Sequence, residues 1–446
     1  MSSRGCDAAL TLPAGRRVTV RAMPPSRLAT ALATLIAATA VALGACAPAP
    51  GAAAHGSTAP RADPATPPVR GATAPGAAAP AFELVETVPI ETTLDHPELR
   101  DAADVWPEMI AAARTSIDLA QFYASNQQPS RLEPVVQALE AAIARGVRVR
   151  FLAEHGFVKT YPDTLDRLAR AGAQVRQLDL KPTTGGILHA KYFVVDDREA
   201  FFGSQNFDYR SLEHIYELGA RVRDPAIVGG LAAIFAADWA RAGGEPAPEP
   251  HIPVIGRAAH GPITLVASPR DLLPPGIGWD LPRIVELLDA ATATITVEAL
   301  TYRADADGAP WDELEAALVR AAARGVRVEL LLADWSKRPR TIAGLQKLAR
   351  IRNIAVRLTT IPPWSGGFIP FARVTHAKAL VVDGKRGWVG TSNWEKDYFY
   401  RSRNVGVLVD DPAIAGELAR FFATLWDSSY AVPVDPDATY TPPRIE

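Results

Sequence analysis

One block of sequence occurs twice in this chain, and that duplication limits the fold more than any other feature. LHAKYFVVDDREAFFGSQNF starts at Leu188 and THAKALVVDGKRGWVGTSNW at Thr375, which puts His189 and His376 187 residues apart. A period of that length is a domain rather than a solenoid unit. The segments upstream repeat as well. SIDLAQFY precedes LEPVVQALEAAIARGVRVRFLAE, and TITVEALTY precedes WDELEAALVRAAARGVRVELLLAD. Each reads as a short β-branched strand, an Ala/Leu/Glu-rich helix, an Arg-Gly break and a Val-Arg-Val strand. Such units predict a sheet with helices on its faces. The expected architecture is α/β: an α+β sandwich of two duplicated domains with pseudo-twofold symmetry, each a mixed β-sheet flanked by helices. The boundaries fall at 82–247 and 248–446, with the join in the Gly/Pro-rich stretch from Gly243 to Gly261.

The 446 residues are enough for two sizeable cores. The net charge is -2, and five arginines precede Cys46 against the single acid Asp7. Beyond that point 42 basic residues face 48 acidic ones, a net of -6. No long-range basic field draws in a polyanion, so any such substrate has to be held locally. The two cysteines, Cys6 and Cys46, both precede the globular region, which excludes a disulfide core and a cysteine-rich zinc site. No His/Asp/Glu cluster has the spacing of metal ligands.

Arg27 precedes the apolar run LATALATLIAATAVALGA, which ends at Cys46. A charged start, an apolar middle and small residues at the end describe a secretory signal over residues 1–45, with Met23 an alternative start. Leu43-Gly44-Ala45-Cys46 resembles the bacterial lipoprotein processing box, which implies lipidation of Cys46 and a lipid-anchored protein of the cell envelope. Simple cleavage and release is the alternative. Residues 46–81 are Ala, Pro, Gly and Thr with almost no large apolar side chain, the composition of a disordered linker.

Position by position, the repeated block is H-x-K-x4-D-x6-G-[S/T]-x-N. His189, Lys191, Asp196, Gly203, Ser204 and Asn206 fill it once, and His376, Lys378, Asp383, Gly390, Thr391 and Asn393 fill it again. In an extended strand the His and Lys of H-x-K leave the same face. A tight turn at Asp196-Asp197 or Asp383-Gly384 then returns a second strand, bringing each Asn back beside its own His and Lys. Two such sets facing each other supply two imidazoles, two ammonium groups and neutral donors, which suits a phosphodiester. Lys and Asn orient and neutralise its oxygens, one neutral imidazole attacks phosphorus, and the other gives a proton to the leaving oxygen. One half supplies only one histidine, so the duplication has a chemical reason.

From about Leu84 to the C-terminus these motifs resemble the phospholipase D superfamily with two histidine-lysine-aspartate motifs. The resemblance implies a phosphohistidine intermediate formed without metal or cofactor, with His189 as nucleophile and His376 as general acid, or the reverse. It also implies a carboxylate after the first motif that orients a catalytic histidine, matched here by Glu217 in HIYELGARV. The position equivalent to Glu217 in the second half is Asn404. Asp196 and Asp383 are expected to bond the hairpins rather than touch substrate. GSQNFDYRSL, YELG, GTSNW, Tyr398-Phe399 and FFATLWDSSY resemble the branch of lysosomal phospholipase D proteins acting as 5′ exonucleases, and of poxvirus envelope phospholipases. The animal members rely on disulfides that this chain cannot form after processing.

Tyr123, Trp335, Arg373, Trp394 and Tyr398 are candidate substrate contacts, together with Phe122, Trp364, Phe399, Arg210, Lys337, Arg338 and Arg340. His214 is a candidate support for Glu217, and the remaining unmatched histidines, His96 among them, read as surface or capping residues. The expected activity is hydrolysis or transfer at phospholipid head groups, which a lipid anchor would place beside the enzyme. The alternatives are a nuclease for single-stranded DNA or RNA, a cardiolipin synthase-like transferase, and a non-catalytic envelope binding protein.

Overall fold

The computed structural model describes residues 80–249, 263–306 and 309–446. The signal segment, Cys46 and the linker up to residue 79 lie outside them. Two mixed sheets dominate. The first has eight strands in the order Arg100–Asp101, Phe82–Thr87, Glu217–Val222, Glu199–Gly203, Tyr192–Val195, Ser116–Gln121, Arg148–Glu154 and Gln174–Leu178. The second runs Gly278–Trp279, Ile263–Ser268, Asn404–Val409, Arg386–Gly390, Ala379–Val382, Thr294–Ala299, Arg327–Ala333 and Ile354–Thr359, and adds Ala431–Pro433 at one edge. The two orders are the same, strand for strand, up to that added edge.

Local sequence explains the shared plan. Helices Glu133–Ala144 and Glu313–Ala323 each stop at an Arg-Gly pair whose glycine takes a left-handed conformation, Gly146 at φ +87 and Gly325 at φ +93. The chain then enters a strand pairing in parallel, Ser116 opposite Arg148 in one half and Thr294 opposite Arg327 in the other. The motif hairpins close on two-residue turns with positive φ at both positions, Asp196 and Asp197 at 54, Asp383 at 54 and Gly384 at 64. The glycine of each motif permits a close strand approach: a Cβ on Gly203 would stand 2.5 Å from Gly219 Cα, and one on Gly390 3.0 Å from Gly406 Cα.

The two motif aspartates are bound at the turn end of the hairpin and do not belong in a catalytic set. Asp196 accepts from the backbone amides of Arg114, Thr115 and Ser116 at 2.8–2.9 Å, and Asp383 from those of Thr292, Ala293 and Thr294 at the same range. They tie the turn to the entry of the neighbouring strand, a longer reach than a bond within the hairpin. At Asp383 burial pushes the carboxyl up, but those amides and the Thr292 hydroxyl outweigh it and hold it down to about 2. Each aspartate is seven residues past its histidine, about 20 Å of extended chain.

Apolar clusters cover the outer faces, one around Trp106 and Leu139, the other around Trp388 and Leu318. A third cluster is common to both halves and takes in helices Pro225–Ala242 and Pro412–Trp426. Both helices open with Asp-Pro-Ala-Ile, and Asp224 and Asp411 cap them by accepting from the amides of Ala226 and Ile227, and of Ala413 and Ile414. Arg403 of the second half reaches Asp238 of the first-half helix at 2.7 and 2.9 Å, and donates to the carbonyls of Ser268 and Leu272 at 2.8 Å. Both side chains are fully buried. Asp238→Ala would leave the guanidinium buried without its counterion and is expected to cost about 3–5 kcal/mol in urea unfolding, whereas an exposed pair such as Arg283–Glu286 would give under about 1 kcal/mol.

Candidate active site

Each His-x-Lys segment lies just before its ladder strand; its lysine carbonyl stays in its own hairpin, accepting from Gly203 N or Gly390 N at 3.1 Å, while the residues before it pair with the opposite half. His189 N and Ala190 N donate to Arg403 O at 3.0 and 2.8 Å, and Arg403 N donates to Ile187 O at 2.8 Å. In the mirror arrangement His376 N donates to Tyr216 O at 2.8 Å and Tyr216 N to Val374 O at 3.0 Å. Buried Glu154 further holds the first segment, accepting from Leu188 N at 2.6 Å. The backbone that carries each imidazole is therefore built by both halves.

The side chains cross in the same way. Glu217 Oε2 is 2.8 Å from Nδ1 of His376, and Asn404 Oδ1 is 2.9 Å from Nδ1 of His189. Asn404 Nδ2 donates to Tyr398 O at 2.8 Å, which orients its oxygen toward the imidazole. An amide oxygen only accepts, so His189 carries its proton on Nδ1 and presents the Nε2 lone pair. The motif hydroxyls Ser204 and Thr391 do not face the cavity but sit behind these orienting residues. Ser204 Oγ donates to Leu218 O at 3.1 Å and accepts from Leu218 N at 3.0 Å, while Thr391 Oγ1 donates to Asn404 Oδ1 at 2.8 Å.

Burial sets the electrostatics. It pushes His189 well below the usual imidazole range, with Lys191 and Lys378 adding to the effect. Burial also brings His376 down to about 4, where Glu217 opposes it and Lys378 and Lys191 assist. Lys378 is lowered to about 7 by burial against the pull of Glu217 and Glu298, and Lys191 is lowered well below its usual value by burial and then by Lys378. Glu217 is itself pushed up by burial, but His376 and Lys378 outweigh that and its carboxyl is held down. Each lysine Nζ donates to the carbonyl of the histidine two residues before it. Among the described residues neither ammonium has a carboxylate in hydrogen-bond contact, so the pair forms a buried seat for an anion.

Both histidines open on one cavity of about 240 Å³, lined also by Asn206, Asn393 and Tyr398. Each Asn has an amide oxygen without a protein partner, and the amide can turn either its oxygen or its NH2 to a ligand. Phe122, Tyr123, Phe157 and Tyr161 form one wall, with Tyr123 stacked on Tyr161 at 5.0 Å and on Phe157 at 5.8 Å. Trp335 and Phe371 stand in the lining from the second half, edge to face at 6.4 Å.

Of the candidate contacts, Phe122, Tyr123, Arg210, Trp335 and Tyr398 line this cavity, whereas Trp364, Arg373, Trp394, Phe399, Lys337, Arg338 and Arg340 do not. Trp394 is 1% exposed and packs in the outer core of the second half, because the backbone bridge to Tyr302 turns it inward. Arg373 spends its guanidinium on Pro362 O and Ile90 O, bracing a loop. Arg210 does reach the cavity, but Asp208 neutralises it. His214 is buried against Trp364, and His96 is buried with Nδ1 2.6 Å from Glu86 Oε2, so neither is a surface residue. Two features escaped the sequence, and a third, Asn404, was matched to Glu217 there without its role. Asn404 acts on the first histidine. Phe157 and Tyr161 follow the carboxyl end of strand Arg148–Glu154, as Trp335 follows Arg327–Ala333, and that placement was a usable signal. Glu298 lies fully buried beside Lys378, accepts from Thr375 Oγ1, and is pushed up to about 8 by burial.

Residues 107–239 and 284–426 match the family description "Cardiolipin synthase, PLD-like domain". The chain belongs to the phospholipase D superfamily. It is 32% identical to the mouse 5'-3' exonuclease PLD4 over 403 residues, 79% of each chain. It is 30% identical to phospholipase D Z of Dictyostelium discoideum over 392 residues, 79% of this chain and 90% of that one. The fold is similar to the phosphatidylserine synthase of Haemophilus influenzae, with a TM-score of 0.55 at 11% identity over 74% of this chain and 85% of that one. The protein is a phosphodiesterase of that superfamily. Among the described residues no helix is long and apolar enough to cross a membrane, and no group of three His, Cys, Asp or Glu side chains is placed to hold a metal ion.

A lowered histidine makes stability pH-dependent. Unfolded His376 takes up its proton near its ordinary value of 6.5, whereas folded His376 does so only near 4. Its contribution is therefore present above pH 6.5 and is lost as pH falls toward 4, at up to about 1.4 kcal/mol per pH unit. His376→Asn is expected to flatten the measured fall in unfolding free energy across that window.

Proposed function

We propose that the protein cleaves phosphodiesters by two displacements at one phosphorus, with His189 as nucleophile and His376 as general acid and then base. The asymmetry of the orienting groups carries this reading. Carboxylate Glu217 stabilises a positive imidazolium on His376, and neutral Asn404 supports an uncharged His189 with a free Nε2. With protein groups alone, burial and two lysines keep His376 deprotonated; a phosphodiester anion seated on those lysines offsets that opposition and favours the proton. His189 Nε2 bonds to phosphorus as the leaving oxygen takes the proton of His376. Water then gives its proton to His376 and displaces His189 from phosphorus.

For the substrate we infer a terminal phosphodiester of a single-stranded nucleic acid. Seven aromatic side chains among the fifteen lining residues favour a flat occupant over a polyol head group, since every base offers a π face. The named activity of the mouse relative supports the same choice. Phospholipid head groups are the second reading, favoured by Phe371, which lines this cavity and is among the few large apolar side chains left exposed. Export and lipidation at Cys46 belong to the proposal on sequence grounds, and loss of labelled palmitate in Cys46→Ala is the expected check.

Activity of residues 80–446 is expected to persist in EDTA on a 5′-hydroxyl oligonucleotide, and to fall at least about a thousandfold in His189→Asn. Head-group release from phosphatidylglycerol vesicles with no oligonucleotide cleavage would select the second reading. With the p-nitrophenyl ester of thymidine 5′-phosphate, whose leaving group needs no acid, His376→Asn is expected to release a burst of about one equivalent and then stall as the phosphohistidine. His189→Asn is expected to show no burst, and the opposite pattern would reverse the two roles.

A further inference from the structure

A second cavity, of about 290 Å³, opens at the turn end of the first sheet, away from the histidines. Arg114, Arg198, Arg221 and Arg223 line it together with Asp196 and Glu199. Both carboxylates are already engaged. Asp196 accepts from three backbone amides and the Thr115 hydroxyl, and Glu199 Oε2 takes Arg221 at 2.8 Å and Arg223 at 3.3 Å. Arg221 also meets Glu108 at 2.7 Å, and Arg223 donates to Pro80 O at 3.0 Å. The guanidinium groups of Arg114 and Arg198 are exposed and make no hydrogen bond or ion pair among the described residues. Arg221 and Arg223 are balanced by Glu199, Glu108 and, at 3.9 Å, Glu83, so the charge left open in the lining is that of Arg114 and Arg198, in a chain whose net charge is negative.

The duplication supplies an internal control. The second half builds the same turn on Asp383 with the same three amide bonds. At the four positions equivalent to the arginines it carries Thr292, Lys385, Leu408 and Asp410. The hairpin and sheet therefore form without the arginine cluster, which belongs to the first half alone. Guanidinium forks match phosphoryl oxygens two at a time, and two unengaged forks at one cavity mouth have that geometry available.

We propose that this cavity is a second phosphoryl-anion site, separate from the catalytic cavity and recognising phosphate as the free ion or in a lipid head group. It lies beside Pro80, where the described chain begins. Binding there depends on exposed charges and weakens with ionic strength.

The test compares the full-length protein with its Arg114→Ala/Arg198→Ala variant, whose exposed side chains carry no packing. Equilibrium dialysis against labelled inorganic phosphate is expected to give two sites per chain for the former and one for the latter, with the same turnover of bis(p-nitrophenyl) phosphate. Flotation of residues 80–446, which lack Cys46, with and without the two substitutions, on phosphatidylglycerol vesicles separates the sources. Loss of flotation as well as the second phosphate assigns the site to head groups, and loss of the phosphate alone assigns it to the free ion. Equal phosphate stoichiometry in the two proteins, whether one or two, would overturn the proposal. Because turnover is measured in both, an inactive catalytic cavity and a missing second site give different results.

Discussion

The site depends on an exchange between halves. Arg403 O receives the amides of His189 and Ala190, and Tyr216 O receives that of His376, so neither half alone positions its own imidazole. The next residue along each donor strand, Asn404 or Glu217, then supplies the oxygen that orients the imidazole it faces. Register is the link between the two levels. A strand slipped by one residue would turn Glu217 out of the site, because side chains alternate across the sheet. The buried Arg403–Asp238 pair secures this register from behind, since the residue whose carbonyl holds His189 is anchored in the helix that leads out of the first half.

Duplication leaves each copy free to change where the symmetric partner already serves. The carboxylates have collected around the second histidine: Glu217 touches it and Glu298 lies by its lysine, where the first histidine faces Asn404 and its lysine has Ala120 at the equivalent position. Two like imidazoles would titrate together and could not easily divide the roles of nucleophile and acid. One carboxylate on one side separates them by stabilising a proton on His376 alone. Asn404 keeps the orienting hydrogen bond at His189 without adding charge, so the geometry stays twofold while the electrostatics do not.

Much of this was legible in the sequence because it is local. The helix, Arg-Gly stop and returning strand follow from period and propensity within about fifteen residues, and the Asp-Asp and Asp-Gly turns follow from residues that tolerate positive φ. The duplicated motif named both histidines, both lysines and both asparagines of the site, and Glu217 beyond it. What the sequence did not disclose is which half each group serves. Pairing between Arg403 and the segment 214 residues before it leaves no periodic trace, and the same segment read alone looks like the start of its own strand. Trp394 and Arg373 show the complementary error. Residue type and nearness to a motif suggested contact with substrate, but one side chain faces the core and the other is turned onto the carbonyls of Pro362 and Ile90.

The electrostatics explain why such a site would be stable and still selective. Two buried ammonium groups without contact carboxylates are costly, and the depressed values of Lys191 and Lys378 express that cost. A monoanionic phosphodiester between them restores the protons and removes much of the repulsion, so binding is strongest for a group that brings one negative charge into a small apolar cavity. A neutral ester gains nothing there. A long polyanion gains only at the phosphate that enters, because the surface beyond is not basic overall. Recognition then rests on what the aromatic walls hold beside that one phosphate, and Tyr161 and Trp335 from the two halves bound that space. In the reading proposed above, a cavity of about 240 Å³ suits one terminal residue better than a continuous strand.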